Sequence, residues 1–482
     1  MSRAGRLLAL VALAAAACAT PPRAAPPSRL VLERCRVPRP AVDVRCGALE
    51  VFEDRAAKSG RTLALNVLVL PALTKSPAPD PIFVLAGGPG LGAATAADGT
   101  VVEFLRPMRA RRDVVFVDQR GTGESHRLAC RLSAGVGAQA AFGELLPPER
   151  VRACREALEK IADLRLYTTP IAMDDLDDVR AALGYAKINL YGVSYGTLAA
   201  LQYLRQHPSR TRSLALSGVA TPAQKLPLQF AAGAQAALDR LIEDCAADEA
   251  CRRAYPDLAA DARAVFAQFD EGPVTFELPR ADGAPERVSM SRPVFAERLR
   301  LMLYSVRSAS RVPVVLHRAA HGRWVPFARA SSPSLLGGSL SLALGMYFSV
   351  TCSESVPTLT EDDVVRGSRG SFVGEERTRV HMRACREWTR GDVPAEYYAP
   401  VRSRAPVLML SGELDPATPA RYATEAARTL PNARQVLIRS VAHDYFADCL
   451  RDLVADFFAR GSARDLDARC VETLGRPPFA VD

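Results

Sequence analysis

Several things are missing from this 482-residue sequence, and each absence narrows what the chain can be. There is no basic run with interleaved aromatics. The net charge of +9 is almost all arginine, dispersed along the chain, so nucleic acid is not an expected partner. There is no C-x-x-C pair, and the cysteines are scattered, so no metal is expected. The glycine-rich loop at 87–90 lacks both the G-x-G-x-x-G and the G-x-x-x-x-G-K-[ST] patterns that cradle phosphates. No internal repeat is visible. The N-terminal apolar run, residues 7–17, is too short to span a bilayer as a mature helix.

What is present begins with that run. Arg3 and Arg6 precede it and "AAAC" ends it at Cys18, the pattern of a bacterial lipoprotein signal in which the Cys is acylated. Plain secretion with cleavage near Ala17 is the other reading, and both export the protein. Residues 1–18 are therefore read as a signal segment. Residues 19–34, with "TPPRAAPP", are read as a flexible tether, which limits membrane contact to an N-terminal lipid anchor. The chain has 11 cysteines, so ten remain without Cys18, an even number suited to an oxidising compartment. They fall into near neighbours: Cys35 and Cys46, Cys130 and Cys154, Cys245 and Cys251, Cys352 and Cys385, Cys449 and Cys470. Sequence alone does not fix their connectivity, although short loops are the simplest closure.

Hydrophobic and charged contents of 48% and 24% are those of a globular protein. "TLALNVLVL" alternates like a strand, while "PIFVLA", "DVVFVD", "KINLYG" and "SLALSGV" are short continuous apolar runs. Helical stretches lie between them, the pattern of a mostly parallel sheet flanked by helices. The alternation stops near 222 and resumes at "APVLMLSGELDP". The expected architecture is an α/β sheet domain formed by 35–221 and 401–482. A large, mainly helical lid, residues 222–400, is inserted into it.

The chemistry starts at "LYGVSYGT". Gly192 and Gly196 bracket Ser194 in the G-x-S-x-G spacing of a nucleophile elbow, where a strand turns sharply into a helix. A Ser hydroxyl needs a His to take its proton and an acid to hold the His tautomer. On this kind of sheet the chain order is Ser, acid, His. Asp415 follows the strand-like "VLMLSG", and His443 is the only His after it. Glu413 competes with Asp415 for the acid role. The backbone N–H groups of Tyr195 and Gly88 are the expected oxyanion donors.

These motifs resemble the α/β-hydrolase family that contains proline iminopeptidases and tripeptidyl aminopeptidases. The resemblance rests on "LAGGPG", "VDQRGTGES", "DLDDVRAALGYAKINLYGVSYGT", "SGELDPATP" and "CVETLGRPPF", and spans about 35–480. The secreted tripeptidyl-aminopeptidase-like branch is most similar. Two positions depart from the family pattern: Ala86 stands where many relatives have His, and Asp444 follows the catalytic His where many have Gly. The resemblance implies a serine aminopeptidase acting on peptides with a free N-terminus through an acyl-enzyme, with no cofactor. It also implies an acidic lid residue that reads the substrate amine. Glu354 in "SVTCSES" is the candidate, on a loop pinned by Cys352. An esterase or lipase with the same triad, and an inactive binding protein on the same fold, are the rival readings. Oligomeric state is not legible.

Overall fold

The computed structural model describes residues 30–38, 41–132, 137–280, 283–331 and 342–481. Cys18, the signal segment and most of the tether lie outside the described residues. The end of the expected tether is not a tether: residues 33 and 34 open strand β1 (Glu33–Val37), and Leu30 is buried.

Strand β1 is joined by β2 (Val42–Phe52), β3 (Thr62–Leu70), β4 (Ile82–Leu85), β5 (Val114–Val117), β6 (Ile188–Val193) and β7 (Thr211–Ser217). A separate hairpin, β8 (Val274–Leu278) and β9 (Glu286–Met290), comes next, and then β10 (Val407–Gly412) and β11 (Ala433–Ile438). All but the hairpin build one nine-stranded sheet in the order β1-β2-β3-β5-β4-β6-β7-β10-β11. From β5 to β11 every neighbouring pair is parallel, whereas β1, β2, β3 and β5 pair antiparallel. Sequence texture follows this division. The central strands read as unbroken apolar runs because helices cover both faces: β5 (VVFV) and β10 (VLMLSG) are buried at every position. Successive residues still feed opposite cores. Val407 and Met409 join the cluster on one face, Leu408 and Leu410 the cluster on the other.

A third core stands apart from the sheet, between the helices Phe230–Ala247, Leu258–Ala267, Arg292–Met302 and Val312–Ala320. Its centre is aromatic: Phe295 packs on Phe269, Trp324 and Phe327 with ring centroids 4.7–5.6 Å apart. The antiparallel β8–β9 hairpin closes one side. This body covers less of the chain than the span 222–400. The helix Leu344–Glu354, together with Cys385, Trp388 and Tyr397, is buried in the sheet-side core instead. The C-terminal tail crosses back to the lid, where Ala480 N–H donates to the Ser310 carbonyl and Tyr255 Oη to the Ala480 carbonyl.

Disulfides join Cys35 to Cys46, Cys130 to Cys154, Cys245 to Cys251, Cys352 to Cys385 and Cys449 to Cys470. Among the described residues, no helix is long and apolar enough to cross a membrane.

Candidate active site

Strand β6 ends at Val193 and the helix Tyr195–Gln206 starts one residue after Ser194. Ser194 itself sits at φ 56°, ψ −125°, a region that L-residues avoid unless the surroundings impose it. The surroundings do so. Ser194 N–H donates to the Ser217 carbonyl of β7 at 2.9 Å. The Ser194 carbonyl accepts from both the N–H (2.8 Å) and the hydroxyl (2.6 Å) of Thr197. A Cβ at Gly192 would lie 2.5 Å from the Gly196 carbonyl oxygen, and one at Gly196 would collide with the Leu85 carbonyl oxygen. Only glycine at both positions lets β4, β6 and the elbow helix approach this closely.

The candidate acid and base, Asp415 and His443, lie in the loops that follow β10 and β11, as Ser194 follows β6. Asp415 is 4% exposed, and its carboxylate accepts five hydrogen bonds. Oδ1 takes the backbone N–H groups of Ala417 and Thr418, each at 2.8 Å. Oδ2 takes the Thr418 hydroxyl at 2.7 Å, the Tyr445 hydroxyl at 2.8 Å and His443 Nδ1 at 2.8 Å. Burial alone would push this carboxyl up. The facing His443 and the donors outweigh it and hold the group below its usual value, so it is ionised at neutral pH. A carboxylate only accepts, so His443 Nδ1 carries the proton and Nε2 keeps its lone pair. That is the tautomer a general base for Ser194 requires.

The GGPG loop lies against the nucleophile: a Cβ on Gly87 would be 3.2 Å from Ser194 Cβ. Gly88 has φ +118°, and a Cβ there would meet Gly90 N at 2.6 Å, so the loop can be made only with glycine. Asp118, from the "VDQRGTGES" motif, fixes the segment after this loop. Its carboxylate accepts from Ala94 N–H and Thr95 N–H and from the Thr95 hydroxyl, 2.6–3.1 Å away. Arg120 of the same motif is fully buried and grips Asp175 through Nε (2.6 Å) and Nη2 (2.8 Å). These charges brace the loops around the site. They do not face it as reactants.

The lid reaches the base directly. His443 N–H donates to the Tyr304 carbonyl at 2.9 Å, and the Tyr304 ring stands edge-on to the imidazole with centroids 5.0 Å apart. Asp444, the family departure, turns to the same lid segment and accepts from Val306 N–H at 3.0 Å. Behind Tyr304 its hydroxyl meets Arg300 at 2.6 Å. Arg300 grips Glu297 at 2.8 and 2.6 Å, and Arg377 lies 3.4 Å from the same carboxylate. Burial opposes the charge on Glu297, but the two guanidiniums hold its carboxyl down to about 2.

Glu354 is not where it was expected. It is the last residue of the helix Leu344–Glu354 rather than a loop residue, and it is 2% exposed. Its oxygens already accept from Thr169 N–H (2.5 Å), the Thr169 hydroxyl (2.8 Å) and the Tyr397 hydroxyl (2.5 Å). The Thr169 hydroxyl also contacts Tyr195 Oη at 2.7 Å. Glu354 therefore braces the elbow from behind. Burial pushes its carboxyl up to about 7. Sequence reading missed Tyr445, Thr418, Tyr304 and Asp118. Tyr445 had one available signal, since it lies two residues from His443 in a run leaving a strand.

Among the described residues, two side-chain groups have ligand-like spacing. One is Cys352, His381 and Cys385, whose cysteines are joined to each other; the other is Asp261, His317 and His321 on the lid.

A strained Ser between strand and helix, with an ionised acid–His pair on later strand ends, defines a serine hydrolase. The chain belongs to the alpha/beta hydrolase fold family, which it matches over residues 80–448. It is 24% identical over 488 residues to the serine protease Hip1 of Mycobacterium tuberculosis, with 90% of each chain covered. It is 30% identical over 139 residues to a proline iminopeptidase of Neisseria gonorrhoeae, covering 29% of this chain and 32% of that one. It is 29% identical over 202 residues to a tripeptidyl aminopeptidase of Streptomyces coelicolor, covering 39% and 37%. A solved proline iminopeptidase of Mycobacterium smegmatis superposes with TM-score 0.42 at 16% identity, over 86% of this chain and 98% of that one. The resemblance read from the motifs is borne out by the family match and by the three sequence relatives.

Proposed function

We propose that the protein is an exported serine aminopeptidase that releases N-terminal residues or short peptides. The observation that carries the reading is the Asp415–His443 hydrogen bond, which leaves Nε2 as a base on the side of the sheet where Ser194 is displayed. The peptidase names of the sequence relatives support the substrate class.

In this mechanism His443 Nε2 takes the Ser194 proton as Oγ attacks the scissile carbonyl. Tyr195 N–H, at the start of the elbow helix, and Gly88 N–H receive the developing oxyanion. His443 then returns the proton to the leaving amine. Water, deprotonated by the same nitrogen, resolves the acyl-enzyme. None of these steps calls for a metal or organic cofactor. Export, with acylation at Cys18 or free secretion, is the accompanying proposal, supported by the signal-like N-terminus and the disulfides.

The test is a fluorophosphonate probe followed by matched peptides. Wild type should label and Ser194→Ala should not. Free-amine peptides should be cut at least about a hundred-fold faster than N-acetylated ones, a difference of about 3 kcal/mol. Equal cutting of both forms would overturn the aminopeptidase reading in favour of an endopeptidase. Turnover of short acyl esters alone would favour an esterase.

A further inference from the structure

The pair His317 and His321 lies at the end of the helix Val312–Ala320, one turn apart, and plays no part in the chemistry above. His317 Nδ1 is 2.8 Å from Asp261 Oδ2, on the neighbouring helix Leu258–Ala267. His321 Nδ1 is 2.7 Å from the His317 backbone carbonyl oxygen. Both partners are oxygens that can only accept. Each Nδ1 in the neutral ring therefore carries its hydrogen, and each Nε2 is left with a free lone pair. The two rings are 4.6 Å apart, centroid to centroid. A ligand atom from each of Asp261, His317 and His321 lies within 4.8 Å of the others.

This arrangement differs from a chance pair of surface histidines in three ways. Histidines at i and i+4 share a helix face, the spacing by which a helix offers two imidazoles to one metal. Metal-bound histidines characteristically donate their other ring N–H to a carboxylate or a backbone carbonyl, and here one ring does each. The rings also stand at a helix C-terminus, where the carbonyl ends favour a cation, with the Asp261 carboxylate beside them. His321 is exposed and His317 is 30% exposed at its side chain, so a hydrated ion has an approach.

We infer that His317 Nε2 and His321 Nε2 form a bidentate site for a divalent transition metal of the zinc class on the lid. Solvent completes the coordination. Asp261 acts as a positioning residue that fixes the tautomer and orientation of His317. Imidazole pairs suit zinc, copper and nickel and hold magnesium and calcium poorly, so the ligand class is set by the donors. A metal there clamps the last turn of one lid helix and, through Asp261, ties it to the helix Leu258–Ala267.

Zinc chloride is titrated calorimetrically into the tag-free, full-length protein, stripped of metal, in a non-coordinating buffer. One site per chain is expected, together with a zinc-dependent rise in melting temperature. His317→Ala and His321→Ala should each abolish the site. Asp261→Asn should weaken it by about ten-fold or more. His443→Ala should leave it intact, which separates it from adventitious binding at the catalytic base. His321 is exposed, so its variant should fold even if the His317 variant does not. Undiminished zinc binding in His321→Ala, loss of binding in His443→Ala, or no binding by wild type below millimolar zinc would each overturn the proposal.

Discussion

Replacing Asp415 with Asn changes one atom of the carboxylate, and the hydrogen bonds around it dictate which way the amide must lie. The oxygen facing the Ala417 and Thr418 N–H groups has to remain an oxygen, because both are buried donors. The amide nitrogen is then forced into the position of Oδ2, against His443 Nδ1. An amide nitrogen only donates, so His443 must accept at Nδ1 and carry its hydrogen at Nε2. The base is held in the wrong tautomer. The imidazolium formed in the transition state also loses its counter-ion. At about 4 Å and an effective dielectric near 20, that ion pair is worth about 4 kcal/mol. At about 1.4 kcal/mol per decade this is roughly three orders of magnitude, and the tautomer adds to it. The expected fall in kcat is therefore about 10³ to 10⁴, a size known for the same substitution in other Ser–His–Asp enzymes. Nitrogen-15 NMR of the imidazole should show Nδ1–H in wild type and Nε2–H in Asp415→Asn, and circular dichroism should show an unchanged fold. A folded variant within ten-fold of wild type, or one that keeps Nδ1–H, would refute this account of the dyad.

Tyr445→Phe removes a donor to Asp415 and strands the Gly412 N–H that the hydroxyl accepts from, so stability should fall by about 1–3 kcal/mol in urea titrations. Unchanged stability would mean that water replaces the hydroxyl. Glu354 has a carboxyl pushed up from its ordinary 4.5 to about 7, mainly by burial, so its protonated form favours the fold. Its contribution is fully present below about 4.5 and is lost as pH rises through about 7, a swing of order 3 kcal/mol. Glu354→Gln should flatten that pH dependence and lower peptidase and esterase rates alike; selective loss on free-amine peptides would restore it as the amine reader. Non-reducing peptide mapping should recover the five disulfides, and Cys352→Ser with Cys385→Ser should lose about 2–4 kcal/mol.

What was legible in the sequence was local. The elbow is five residues long, Asp415 follows the apolar strand β10, and chain order leaves His443 as the one His after it, so local pattern and order were enough to name all three candidates. The parallel strands were legible because burial on both faces leaves continuous apolar runs. Strand β1 escaped because its sequence, ERCRV, is a five-residue edge strand with three charges in water, and it offers only Cys35 and Val37 to the core. Glu354 was misplaced because a buried carboxylate satisfied by Thr169 and Tyr397 depends on residues 185 and 43 positions away. Tyr304 escaped for the same reason, since its contact with His443 joins the lid to the loop after the last sheet strand across 139 residues of chain.

The seam between Tyr304 and His443 gives the lid a character that its position does not suggest. A cover that merely shades a nucleophile can lift and leave the machinery cocked. Here the backbone of the base hangs from the cover itself, with Asp444 and Val306 as a second stitch. Moving residues 304–306 away would break both hydrogen bonds and leave the imidazole held through its bond to Asp415. An exchange of lids between relatives that drops these two stitches should therefore loosen His443 and lower kcat in a protein that still folds.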